Sequence, residues 1–299
     1  MKIIFLRHIN KDKSLLDDEI EYSLKKIGHN VISIDDEDFE PDDVIKQANE
    51  SDLFLFRTGG VSTEVQVDFY NDIVRLQYML NSIKTKKVFW FLDAVMGLGI
   101  TWMQQIIPMV DYGFLNDDTF LRRNVIENCF SLHLGCTDRE IPKGKFNQKF
   151  KGEIAFCGAL YLEQDPCIEG LKKEYGKRFK IYKDLDGQDF ADLCASNKVI
   201  VSQRIPNTDF FWSDKIYKTL SNGGLLVYPR LQGQLDEGFQ NGVQYVNYSM
   251  FEELCAAINY FLDPNNSDAR NYVIDVGKKF VNDNYKFSDR LKELLEIIK

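Results

Sequence analysis

Histidine is scarce in this chain of 299 residues, with three in all. Six cysteines (Cys129, Cys136, Cys157, Cys167, Cys194 and Cys255) form no Cys-x-x-Cys pair, and no histidine stands at a metal-binding interval. Such spacing gives neither a zinc site nor a redox dithiol, so the thiols read as small core residues and no metal is expected. No apolar run reaches the roughly 18 residues a membrane-crossing helix needs. Nothing resembles a signal peptide, because residues 1–6 run straight into Arg7, His8 and Lys11. A soluble protein of a reducing compartment, the cytoplasm, is the expectation. Basic excess is missing too: the formal net charge is -9 and the pI about 5.0. That balance weighs against a protein that lives on nucleic acid or anionic membrane, although a local basic cleft is compatible with it. There is no repeat, low-complexity tract or long run of like charge, so disorder is not expected away from the ends.

What is present is a hydrophobic fraction of 44%, enough for a sizeable core, in a chain whose length suggests two domains. The stretch 213–230, SDKIYKTLSNGGLLVYPR, organises the rest. Ser213 or Asp214 can accept from the free N–H groups of a helix's first turn, and Ile216, Tyr217 and Leu220 fall on one helical face. Gly223 and Gly224 stop the helix. Leu225, Leu226 and Val227 then form an apolar run suited to a strand buried on both faces, as parallel sheets require. Free amides together with Lys215 in that first turn would suit a phosphate or diphosphate.

The order of elements is that of an α/β protein with two Rossmann-like domains. Strands are expected at 2–6, 30–34, 52–56, 87–92, 112–115 and 130–134, and helices at 17–28, 41–49, 64–83 and 100–110. Strand, helix, strand at this spacing implies right-handed crossovers. The loop after the first strand begins at Arg7 and His8, and the third strand ends in Arg57, Thr58 and Gly59. Asp93 stands at the carboxy end of the fourth strand, where open α/β sheets place their ligands. Apolar residues thin out between 137 and 151, which places the linker there and gives domains 1–140 and 150–299. The second half repeats the rhythm with strands at 153–157, 179–182, 199–202, 225–228 and 244–247. Ser249 with Glu252 has the form of a capping box. The last helix, 287–298, can cross back to the first domain.

The second half resembles the carboxy-terminal domain of the spore-maturation-like branch of glycosyltransferase family 1, whose fold is GT-B. The segments that carry the resemblance are IAFCG (154–158), SDKIY (213–217) running into LSNGG (220–224), LDEGF (235–239) with Asn241 and Gly242, QYVNY (244–248) with FEEL (251–254), YFL (260–262), Gly277, and Asp289 with Arg290. It covers about half the chain. The first half resembles only a generic Rossmann-like acceptor domain. The resemblance implies two domains facing across a cleft, the second holding a UDP- or GDP-sugar as co-substrate, without cofactor or metal. It implies that Gly158, Arg204, Ser213, Asp214, Lys215, Tyr217, Gly223, Gly224 and Arg230 serve the donor. Tyr228 and Gln232 are further candidates. Arg7, Arg57, Thr58 and Gly59 fall on the acceptor side. Relatives often carry a glutamate at the position of Lys218, where it binds the ribose hydroxyls, and a lysine cannot accept those bonds.

Glycosyl transfer needs charge stabilisation on the departing diphosphate and, where configuration inverts, a base for the acceptor hydroxyl. Asp93 or His8 is the expected base; a retaining reaction requires none. The acceptor is a glycan, a lipid, a protein, a small metabolite or a modified DNA base, the last favoured if Arg57, Arg122 and Arg123 cluster. A GT-B-shaped binding protein without turnover, which Lys218 would favour, and a nucleotide-sugar epimerase, disfavoured by so few histidines, are the competing classes.

Overall fold

The computed structural model describes residues 1–7, 15–35, 40–58, 66–95, 98–124, 126–158, 166–183, 185–203, 209–211 and 213–299, with backbone alone at 15, 58, 66–72, 98 and 102. The chain divides into two compact units, residues 1–134 with 287–299, and residues 135–286.

The first unit runs β1 (Lys2–Arg7), α1 (Leu15–Lys26), β2 (Asn30–Asp35), α2 (Pro41–Asn49), β3 (Leu53–Thr58), α3 (Gln66–Ser82) and β4 (Lys87–Phe91). It continues with α4 (Leu98–Ile106), β5 (Tyr112–Leu115), α5 (Asp118–Arg123) and β6 (Cys129–Ser131). Among the described residues the strands form one sheet of order β2-β1-β3-β4-β5-β6, every pairing parallel. The second unit contains β7 (Ile154–Cys157), α6 (Pro166–Tyr175), β8 (Phe179–Tyr182), α7 (Gly187–Ser196), β9 (Val199–Val201), α8 (Lys215–Ser221), β10 (Leu226–Pro229), β11 (Val246–Tyr248), α9 (Phe251–Leu262) and α10 (Ser267–Asn284). Its sheet, also parallel, has the order β11-β10-β9-β7-β8. The chain ends in α11 (Phe287–Ile297).

Alternation along the strands explains why both faces are covered. Ile4, Leu6, Phe54, Phe56, Phe89 and Phe91 share a core with residues of α2, α3 and α4. Their neighbours Ile3, Phe5, Leu53, Leu55, Val88 and Trp90 are equally buried and point to the other face. That face receives α11. Its buried Phe287, Leu291, Leu294 and Leu295 recur at helical spacing, and the Phe287 ring meets Trp90 edge-on at 6.4 Å. Arg290 donates to the Leu134 carbonyl at 3.3 Å, and the Lys86 ammonium reaches the Ile298 carbonyl. The expected boundary kept residues 287–299 with the second domain; the structure groups them with the first because this apolar stripe lies on the first sheet. The second core is built alike, with Ile154, Phe156, Val199, Val201, Leu225 and Val227 under Leu254, Ile258 and Phe261 of α9.

Two local departures have plain causes. The helix expected over 100–110 ends at Ile106 and tightens into a turn at Ile107–Met109, since Pro108 has no N–H to donate. Helix α5, which was not among the expected helices, starts after Asp117, whose carboxylate accepts from Thr119 N at 2.9 Å and caps it.

Gly277, in the middle of α10, lies so close to the segment before β11 that a Cβ there would collide with the Gln244 carbonyl. Gly277→Ala should therefore destabilise the protein by about 1–3 kcal/mol through overpacking, despite alanine's better helix propensity. A thermal melt reads it, and a melting temperature equal to or above wild type contradicts the close approach.

Candidate donor site at the second sheet

In the second sheet the chain passes from β7 to β8 on one side and then crosses from β8 to β9 on the other side of β7. The crevice outside the carboxyl ends of β7 and β9 is the point where a doubly wound sheet binds its ligand. Gly158 follows β7 directly, and its N–H donates to Tyr182 O at 3.0 Å. A Cβ on Gly158 would crowd Lys215 Nζ, so the glycine makes room for that ammonium at the end of β7. Lys215 Nζ lies 4.7 Å from the centroid of the Phe156 ring. No carboxylate among the described residues pairs with it. Burial lowers its pKa from the ordinary lysine value, and the adjacent Asp214 opposes the shift only in part. This is a half-buried cation held by an aromatic face, with capacity left for an anion.

Lys218, one turn further along α8, is differently placed. Its ammonium contacts the Asp186 carboxylate, donates to Leu185 O at 2.7 Å and lies 4.6 Å from the Phe190 ring centroid. Burial raises the pKa of the Cys157 thiol at the end of β7, against the opposing fields of Lys218 and Lys215. Gly158, Lys215, Lys218 and Asp186 thus surround one strand end. The Lys218–Asp186 pair gave no sequence signal, because the partners stand 32 residues apart.

Other expected donor residues do other work. Asp214 adopts helical φ and ψ and makes no side-chain cap, so the expected capping bond is absent there. The Ser213 N–H is already taken by the Tyr228 hydroxyl at 3.0 Å. Burial pushes the Tyr228 phenol up to about 12. Tyr217 is fully buried against Phe239 and Tyr285, which makes it a packing residue. Gly223, at φ 75°, and Gly224 close α8 by donating to Leu220 O at 2.9 Å and Thr219 O at 3.0 Å. They precede β10 and so lie at the edge of the sheet opposite the crevice. Arg230 follows β10 at the carboxyl edge and is exposed, as is Gln232. Arg204 lies outside the described residues. Gln203, which follows β9, was missed. The signal was a polar residue closing the run Val199-Ile-Val-Ser, and its carboxamide is buried.

The first sheet reverses between β1 and β3, where Arg7 and Arg57 stand. Both guanidiniums are engaged. Arg57 holds Asp17 through two nitrogens, with side chains 5% and 3% exposed. Arg7 donates to Asp35 at 2.7 Å, Asp18 at 2.9 Å and Glu21 at 3.3 Å. Thr58 ends β3, while Gly59 and His8 lie outside the described residues. Asp93 is exposed on the loop after β4. That loop is pinned on either side of it, by Asn116 donating to Leu92 O at 2.9 Å and Val95 N donating to Asp117 at 2.9 Å. The buried His133 places Nδ1 3.2 Å from Asn116 O, a structural position. Among the described residues no three His, Cys, Asp or Glu side chains converge as a metal site, and no helix is long and apolar enough to cross a membrane.

The whole chain superposes on solved structures of like topology. Anabaena HepE in complex with UDP and glucose matches with a TM-score of 0.68 at 13% identity, over 100% of this chain and 99% of that one. An alpha-glucosyltransferase in complex with UDP and a 13-mer DNA containing a HMU base matches with a TM-score of 0.67 at 13% identity, over 100% and 99%. A glycosyltransferase from Rickettsia africae matches with a TM-score of 0.60 at 12% identity, over 99% and 97%. Two parallel sheets matched at full length place the protein in the GT-B fold class. Residues 148–296, just under half of the chain, match the family model described as glycosyl transferase-like, and together with the shared fold this match supports a GT-B glycosyltransferase. No curated protein matches it by sequence.

The lowered pKa of Lys215 fixes the sign of a pH effect. The free protein pays for a charged Lys215 below its folded-state pKa and recovers stability as pH rises from there toward the unfolded value of about 10.4. Lys215→Met should accordingly melt above wild type at pH 7, with the gap closing toward pH 10. A variant that melts lower at pH 7 would show that the ammonium is already satisfied within the fold.

Proposed function

We propose that this enzyme transfers a glycosyl group from a uridine diphosphate sugar to an acceptor hydroxyl, with residues 135–286 as donor domain and residues 1–134 with 287–299 as acceptor domain. Lys215 carries the reading: an ammonium drawn partly out of water against the Phe156 ring, at the switch point of a parallel sheet, beside a glycine that leaves room for it. As the glycosidic bond breaks, negative charge grows on the departing diphosphate, and a cation already in place stabilises it without reorganising. Arg230 and Arg204 are assigned to the same diphosphate, so its charge is met by side chains, as metal-independent transfer requires. UDP is chosen because HepE and the alpha-glucosyltransferase were solved with it. Six free thiols suit a cytoplasmic setting.

Asp93 is proposed as the base that takes the proton of the acceptor hydroxyl, its loop being held on both sides; His8 shares that proposal. A DNA acceptor loses its main support. Arg57 is buried with Asp17 and Arg7 faces three carboxylates, which leaves these two cations little for phosphates. The chosen acceptor is therefore an uncharged or weakly charged hydroxyl compound. The binding-protein alternative rested on Lys218 in place of glutamate, and the structure returns a carboxylate, Asp186, to that lysine's end.

A screen of UDP-, GDP- and other nucleotide-sugars by thermal shift, followed by donor turnover, tests this reading. UDP and its sugars should stabilise the protein. Lys215→Met should weaken UDP about 10- to 150-fold, the value of a charge-assisted contact worth about 1.5–3 kcal/mol. If no nucleotide-sugar shifts the melt, the proposal fails. Asp93→Asn should lower turnover about 100-fold or more while leaving UDP affinity within about twofold of wild type; unchanged turnover removes Asp93 as the base.

A further inference from the structure

Several polar atoms in the described residues are buried without a hydrogen-bond partner, and one residue differs from the others. Asn197, Asn222 and Gln234 each leave one amide atom unpaired while the other is bonded. Gln203 leaves both its Oε1 and its Nε2 unpaired, at 5% exposure. A side chain there only for packing would be better apolar, since unpaired buried amide atoms cost free energy. Its place is equally specific. Gln203 follows β9, across the switch point from Gly158 at the end of β7. Ser202, just before it, is fixed by the sheet: its N–H donates to Val227 O at 3.0 Å, and its carbonyl accepts from Tyr248 Oη at 2.7 Å.

We infer that Gln203 reads the nucleobase of the donor, pairing its carboxamide with the N3–H and O4 edge of uracil. The inference rests on the function proposed above and adds to it the group that selects the base. A carboxamide presents one donor and one acceptor side by side in a plane. A phosphate could satisfy only Nε2 and would repel Oε1. The imide edge of uracil satisfies both atoms at once, and it does so whichever way the amide is assigned. The same pairing explains why the amide stays unpaired within the fold. Lys215 and Gln203 then divide the donor, charge to the lysine and base to the amide.

The test uses full-length protein with UDP, GDP and N3-methyl-UDP, whose methyl group removes the N3–H. Wild type should bind UDP about 10- to 100-fold more tightly than N3-methyl-UDP, as the loss of a paired edge implies. In Gln203→Ala the two should bind within about threefold of each other. Gln203→Met, of similar size, should raise the melting temperature of the free protein by about 2 °C or more and weaken UDP. An unchanged ratio in Gln203→Ala, a Gln203→Met protein that melts below wild type, or a wild-type preference for GDP each overturns the assignment while leaving glycosyl transfer intact. Failure of wild type to bind any nucleoside diphosphate overturns both.

Discussion

A lysine ammonium half out of water needs a counter-charge, and the way Lys215 is held makes that need the organising constraint of the second unit. The Phe156 ring supplies part of the compensation, and the glycine at 158 supplies the room. Helices cover both faces of the sheet, so the carboxyl edge is where backbone and side-chain polar groups meet solvent or ligand. A group left unsatisfied at that edge is a cost to folding that a bound partner removes. Gln203 follows the same logic with a neutral group, so charge and amide sit unmet beside one strand reversal.

The two units share a strand reversal of the same kind but resolve its electrostatics in opposite ways. In the first, the two described arginines at the reversal are answered within the fold: Arg57 by Asp17 in a buried pair, and Arg7 by three carboxylates. Breaking such a buried pair would strand a charge, so Arg57 reads as a tie between β3 and the start of α1. In the second, Lys218 is answered by Asp186 and Lys215 is not. Equal topology is thus neutralised unequally in the two units.

Much of this was legible in the chain. Continuous apolar runs of strand length such as 2–6 and 87–92 located the strands, and Pro41 fixed the start of α2 to the residue. The Gly158 and Lys215 pairing could be read as two separate clues, though not as one contact. What was hidden depended on chain segments distant in sequence. Nothing local says that Arg57 spends its charge on Asp17, 40 residues away, or that Phe287 lies on Trp90. The expected cap at Asp214 failed for a related reason: the Ser213 N–H is taken by Tyr228 on the following strand, and Asp214 itself is drawn into helical conformation. Tyr217 misled because a tyrosine near a helix start fits a ligand or a core equally well until its neighbours Phe239 and Tyr285 are known.

The lysine at 218 shows how a charge on one helix is answered by a residue distant in sequence. A lysine there cannot accept from a hydroxyl, and alone it would put a second cation beside Lys215. Two like charges one turn apart on a short helix repel, so the arrangement needs a carboxylate close to Lys218. Asp186 supplies it from the loop before α7, and it does so in place of capping its own helix, since its side chain makes no cap bond. Asp186 thus cancels the charge of Lys218, while Lys215 has Asp214 beside it in sequence and no carboxylate paired with its ammonium.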